Sequence, residues 1–155
     1  MREIFSIIPK LPGVRVYNFA ADYERSKALC DFCNQEGHYL EIVAFEDKIY
    51  EKIKNLDAKT RRINEEKERY NQRSMNFDTI IIDYDIHRLK DIEEFFKKIY
   101  RMTKNAGDII FEIKENELDQ MSALLERCNY VAINQIPSEG KLYLSAKKLH
   151  GWTKV

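Results

Sequence analysis

A chain of 155 residues with 26 Lys and Arg against 26 Asp and Glu carries no net charge. That removes the whole-molecule attraction that draws basic proteins to nucleic acid or to anionic membranes. Hydrophobic residues at 44% and aromatics at 12% exclude a disordered chain and supply one core, so a single domain over 1–155 is expected. The longest apolar runs are short, as at Ile80-Ile81-Ile82, so nothing is expected to span a bilayer. Met1-Arg2-Glu3-Ile4-Phe5 carries an acid and no long apolar stretch, so no signal peptide is expected. Three cysteines without an export signal point to free thiols and the cytoplasm.

Ile4, Phe5, Ile7 and Ile8 predict a short amphipathic helix within 1–12 that caps the sheet, broken by Pro12-Gly13. Val14 to Phe19 alternates and predicts a first strand, running into Ala20-Ala21. Asp22 is an N-cap for a helix from Tyr23 to Glu36, stopped by Gly37. Tyr39 to Phe45 predicts the second strand, and Asp47 to Leu56 a second helix. Residues 57–76 form a polar excursion, with room for an edge strand near Arg61–Glu65. Phe77 to Ile82 ends in the apolar run Ile80-Ile81-Ile82, as expected of a strand buried on both faces. A long amphipathic helix over Leu89 to Lys104, a turn at Asn105-Ala106-Gly107 and a strand over Asp108 to Ile113 follow. A helix from Glu117 to Cys128 precedes strands over Tyr130–Ile136 and Lys141–Lys148. The connection between those two is short enough only for an antiparallel hairpin.

Alternating strands and helices predict a three-layer, Rossmann-like, doubly wound α/β fold. Its sheet is mostly parallel, with an antiparallel hairpin at the C-terminal end. Ligands of such sheets bind outside the carboxyl ends of the strands, which directs attention to the turn Ala20-Ala21-Asp22. Near that edge Asp83, Tyr84, Asp85 and His87 form the densest set of chemically capable groups. They suit acid–base or metal chemistry, or simply the capping of the next helix. Cys30 and Cys33 lie well inside a helix, so ordinary core thiols are expected rather than a redox pair or a metal site. Arg61, Arg62, Lys67, Arg69 and Arg73 with Tyr70 could form a phosphate-binding loop. Glu65, Glu66 and Glu68 interrupt them, which favours a mixed-sign solvated surface. The tail with Lys141, Lys147, Lys148, His150, Trp152 and Lys154 has no acid after Glu139; it could stack a base or meet an acidic partner, but more often such a tail packs its Trp on the sheet edge and leaves its lysines in water.

Three passages resemble the class I S-adenosylmethionine-dependent methyltransferases. Phe77 to Asp83 is similar to that family's fourth strand with its terminal acid. Tyr100 to Phe111 resembles its passage from helix through a glycine turn into the fifth strand. Cys128 to Lys148 resembles its closing helix end and hairpin. The resemblance covers nearly the whole chain and rests on fold-forming features. It implies S-adenosylmethionine as cofactor, held by the turn Ala20-Ala21-Asp22 after Asn18, which stands where the family has a strand-one acid. It further implies Glu46 on the ribose hydroxyls, with Asp47 as the substitute, and Asn64 or Glu65 near adenine. Asp83, Tyr84 and Asp85 would face a small-molecule or protein acceptor. Where the family has a glycine-rich loop, Asn18 to Glu24 contains no glycine, and each alanine adds a methyl group where backbone would approach the cofactor. Two readings follow: a methyltransferase with an unusual cofactor loop, or an inactive relative that serves as a binding or scaffolding protein, alone or as a homodimer. A phosphoacceptor receiver with Asp83 as acceptor ranks below both, because Asp22 and Lys114 match its pattern poorly and the closing hairpin stays unexplained.

Overall fold

The structure, a computed structural model, describes residues 3–149. His150, Trp152 and Lys154 of the basic tail lie outside the described residues.

Seven strands form one sheet in the order β3-β2-β1-β4-β5-β7-β6. They are β1 (Arg15–Phe19), β2 (Tyr39–Ala44), β3 (Lys59–Arg62), β4 (Phe77–Ile82), β5 (Thr103–Ile113), β6 (Val131–Ser138) and β7 (Lys141–Lys147). The first five pair in parallel, and β7 runs antiparallel to both β5 and β6. The closing hairpin turns through Glu139 and Gly140, both left-handed at φ 52° and 77°. Two consecutive positive φ values are what a two-residue turn needs to follow the twist of its strands.

Alternation along each central strand divides the core between two faces. Val16, Ile42, Ile81 and Ile110 pack with Leu29, Cys30 and Cys33 of α1 (Tyr23–Glu36) and with Ile53 of α2 (Asp47–Ile53). Tyr17, Val43, Ile80, Ile82 and Phe111 pack with Phe95, Phe96 and Ile99 of α3 (Ile92–Met102) and with Leu124 and Leu125 of α4 (Leu118–Arg127). α1 is held at both ends: Asp22 accepts from the Arg25 N–H at 2.8 Å, and Gly37 closes the C-terminus at φ 74°.

Three local expectations are revised. The N-terminal segment is a 3-10 helix over Glu3–Ile7, not a full amphipathic α-helix. A run this short does not sustain α-helix nucleation, and its role is to bury Ile4, Phe5 and Ile8, with Phe5 5.1 Å from Phe32. The long helix stops at Met102, and the expected turn at 105–107 lies inside β5. Ala106 takes the left-handed conformation at φ 67°, and the β4–β5 register shifts between Phe77 and Thr79. The irregularity absorbs the turn within the strand. The edge strand within the polar excursion is Lys59–Arg62, two residues earlier than expected, and residues 63–76 then lead to β4 without a helix. From this irregular segment Ile63 and Tyr70 are driven into the core on the α3 face, Tyr70 only 1% exposed.

Candidate functional site

The carboxyl ends of β1, β2, β4 and β5 define the edge where this topology places ligands. At its centre the chain leaving β4 folds over the end of β1. The Phe19 carbonyl accepts from the N–H groups of Asp83 and Tyr84, both at 3.0 Å. Asn18 is fully buried. Its amide donates to the Ile81 carbonyl at 2.9 Å and to Asp83 Oδ2 at 3.1 Å, and its oxygen accepts from Ser26 Oγ at 2.7 Å. Asn18 and Asp83, distant in sequence, are therefore directly joined.

The turn after β1 is engaged within the protein. Ala20 is buried and its N–H donates to the Val43 carbonyl at 2.9 Å. Ala21 lines a neighbouring cleft. Asp22 caps α1 and also pairs with Arg25 Nε at 2.8 Å. Burial works against the Arg25 charge, but the carboxylates of Asp83 and Asp22 outweigh it and raise the guanidinium pKa.

Glu46 follows β2 and Tyr84 follows β4, and β1 lies between those strands. Tyr84 Oη donates to Glu46 Oε2 at 2.6 Å, and Arg88 Nη2 pairs with the same oxygen at 2.6 Å. A contact from the end of β4 to the end of β2 necessarily crosses the carboxyl end of β1. Phe45 fills the space beneath it, edge-on to Tyr84 at 5.3 Å and 5.4 Å from both Phe19 and Tyr70. Tyr84 is 7% and Phe45 8% exposed. The Tyr84 hydrogen bond, with help from Arg88, lowers the Glu46 pKa. Burial and the same bond raise that of Tyr84. Asp47 points away, almost fully exposed, and pairs with Arg62 Nε at 2.8 Å.

On the β5 side of Tyr84 a cleft of about 390 Å3 is lined by Ala21, Asp83, Tyr84, Asp85 and His87 among others. His87 is held between two carboxylates. Its Nδ1 lies 2.9 Å from Asp85 Oδ1, and its Nε2 is hydrogen-bonded to Glu117. Hydrogen bonds to Glu117 and Asp85 raise the His87 pKa. Burial pushes Asp85 and Glu117 upward, but for Asp85 the His87 N–H and ring, and for Glu117 the Lys114 N–H and the His87 ring, reverse that and lower both. Asp85 also accepts from the His87 N–H at 3.0 Å, capping the short 3-10 turn Ile86–Arg88.

Of the remaining candidates, Asn64 accepts from the Glu66 N–H at 2.9 Å, and Glu65 from the Lys90 N–H at 2.6 Å. Both carboxamide and carboxylate thus serve their own loop and its contact with the α3 approach. Cys30, Cys33 and Cys128 are free and buried. Burial pushes the Cys33 thiol to about 12, and Cys30 Sγ donates to the Asp57 carbonyl at 3.2 Å. These are core thiols, far from the thiolate state that redox or metal chemistry needs. Among the described residues no group of three His, Cys, Asp or Glu side chains is placed to hold a metal ion, and no helix is long and apolar enough to cross a membrane.

Arg25, Arg88 and Glu117 were not singled out in sequence. Arg88 and Arg25 carry no motif. Glu117 stands 30 positions from His87 and meets it because β4 and β5 are neighbours, so the segments that leave them are neighbours too.

No protein-family model matches the sequence, and no curated protein matches it. Solved structures do. A putative S-adenosylmethionine-dependent methyltransferase from Methanococcus maripaludis aligns over 97% of this chain and 84% of its own, at 12% identity and TM-score 0.76. One from Listeria monocytogenes aligns over 96% of both chains, at 11% identity and TM-score 0.73. The CurJ carbon methyltransferase aligns over 94% of this chain at 11% identity and TM-score 0.74, and the chain spans only 51% of that protein. Together with the strand order and the closing antiparallel pair, these likenesses show that the chain has the Rossmann-like fold of the class I S-adenosylmethionine-dependent methyltransferases.

Proposed function

We propose that this chain is a methyltransferase-fold binding or scaffolding module whose own side chains fill the place a cofactor would take. The observation that carries this reading is the bond from Tyr84 Oη to Glu46 Oε2 at 2.6 Å, laid across the end of β1. A ribose held by Glu46 would compete with a phenol and a guanidinium already on the same carboxylate oxygen. The backbone gives no compensating cradle. Ala20 spends its N–H on Val43, Asn18 is committed to Asp83, Ile81 and Ser26, and the turn has no glycine to let backbone approach a ligand. These residues do not fit S-adenosylmethionine. Three buried free thiols suit a reducing compartment, and we assign the protein to the cytoplasm.

A second reading rests on the cleft beside Ala21 and Asp83 to His87. In an active methyltransferase, Tyr84 would swing away from Glu46, freeing that carboxylate for the ribose. Asp83, Tyr84 and Asp85 would then face the methyl acceptor. Positioning alone can drive methyl transfer in a fold of this kind, so a catalytic base is not required. Titration calorimetry with S-adenosylmethionine and with its demethylated product separates the two. The first reading expects no heat of binding up to about 1 mM ligand. Saturable binding in the micromolar range supports the second.

A further inference from the structure

The opposite edge of the sheet holds a second cleft, of about 610 Å3, at the amino-terminal ends of the strands. Arg15, Tyr39 and Lys59 open β1, β2 and β3, and Asn76 directly precedes β4. All four line it together with residues 67–73 of the excursion. Its lining carries six cationic side chains against two carboxylates, in a chain whose total charge is zero.

Folding sorts charges that are mixed in sequence. Glu65 and Glu66 leave the cleft and engage Lys90, through its N–H at 2.6 Å and its Nζ at 3.1 Å. Glu41 is buried and consumed by Arg61, whose Nε lies 2.6 Å away, and by the Tyr39 hydroxyl at 3.2 Å. Only Glu68 remains as an exposed acid in the lining. Lys59, Lys67, Arg69 and Arg73 are exposed, and none of their side chains has a hydrogen bond or ion pair to the described residues.

The loop that presents these cations is anchored. Tyr70 is buried between Arg69 and Asn71. Its carbonyl accepts from Tyr17 Oη at 3.1 Å and from Arg61 Nη2 at 2.9 Å, and its hydroxyl donates to the Glu65 carbonyl at 2.6 Å. Arg15 is fixed above the Tyr39 ring at 4.1 Å and donates to the Asn76 carbonyl at 3.1 Å. With its backbone already fixed, the loop has less freedom to lose when a ligand arrives.

From this arrangement we infer that the amino-edge cleft is a binding site for the di- or triphosphate group of a small molecule. Guanidinium forks match phosphate oxygens in pairs, and several unpaired cations suit a ligand with several negative charges. The volume suits a small molecule. A nucleic acid strand would want free aromatic faces for successive bases, but Tyr39 is covered by Arg15 and Tyr70 faces the core. The inference does not depend on which reading of the carboxyl edge holds.

The full chain is titrated by calorimetry with pyrophosphate, tripolyphosphate, ATP, adenosine and a single-stranded RNA oligomer, each at about 50 and 200 mM salt. Tripolyphosphate and ATP are expected to bind, more weakly at the higher salt, and adenosine is not. ATP exceeding tripolyphosphate identifies a nucleotide, and equality identifies the inorganic group. Combined Arg69→Gln and Arg73→Gln is expected to weaken binding at least about tenfold. Combined Lys48→Gln and Lys97→Gln, surface cations outside the cleft, is expected to leave it unchanged. The four substituted side chains are exposed, and circular dichroism checks that both variants keep the fold. No binding of tripolyphosphate at about 5 mM, equal affinity in the Arg69/Arg73 variant, or tighter binding of RNA than of tripolyphosphate overturns the inference.

Discussion

Tyr84 and Glu46 are joined at 2.6 Å across the carboxyl end of a strand that belongs to neither. The contact locks the exits of β2 and β4 together, and Arg88 shares the same carboxylate oxygen.

Replacing Tyr84 by Phe removes one charge-assisted hydrogen bond and keeps the ring on Phe45. The expected loss is about 1–2 kcal/mol in urea unfolding. Tyr84→Ala also opens a cavity beside Phe45, and the expected loss rises to about 3 kcal/mol. Equal stability of wild type and Tyr84→Phe would show that the hydroxyl is not bonded in solution.

His87 predicts a pH dependence of definite sign. Its folded pKa is raised by Glu117 and Asp85, so its contribution is fully present below the unfolded value of about 6.5 and is lost as pH rises through the raised value. Asp85 and Glu117 are lowered. Their contribution is present above their unfolded values and fades as pH falls through the folded ones. The urea midpoint of wild type is therefore expected to exceed that of His87→Gln most near pH 6, and the two curves to converge at alkaline pH. The imidazole is half exposed, so high salt should shrink the difference.

His38 is buried, and neither ring nitrogen has a hydrogen-bond partner among the described residues. Burial without partners costs about 1–3 kcal/mol per polar group. Exchange for Leu, of similar size, is expected to raise the melting temperature by several degrees. A fall would show that the imidazole is satisfied in solution.

Gly107 sits where β4 and β5 crowd together. A Cβ there would meet the Lys104 carbonyl at 2.8 Å and the Asp78 carbonyl at 2.9 Å. Both are backbone atoms that cannot move aside cheaply. Gly107→Ala is expected to cost about 1–3 kcal/mol by overpacking, whereas Gly140→Asn, at a left-handed turn with open space around it, should cost little. Thermal unfolding of the two variants side by side checks the contrast.

The fold was readable in sequence because its signals are local and repeated. Phe77 to Ile82, with its apolar run Ile80-Ile81-Ile82, becomes the central strand β4, and the short Pro137 to Gly140 connection forced the closing hairpin. Within the excursion the edge strand was readable to within two residues, but residues 63–76 were not, because Tyr70 is buried from an irregular segment that leaves no period. The same segment concealed the sorting of its charges, since sequence gives the order of Glu65, Glu66 and Arg69 but not the side to which each turns. At the carboxyl edge, the chemistry-bearing residues Asn18, Glu46 and Asp83 could be named from strand ends. What they and His87 bond to could not: Arg88 meets Glu46 across the end of β1, and Glu117 meets His87 because β4 and β5 are neighbours.

Whether Tyr84 closes the carboxyl edge against cofactor is decided by a crystal structure grown with about 5 mM S-adenosylmethionine, far above the range of cofactor affinity expected for a working enzyme, in which the Tyr84 Oη to Glu46 Oε2 distance is measured. A hydrogen bond there and no ligand over β1 are expected. Tyr84 turned outward with a ribose on Glu46 would contradict that closure.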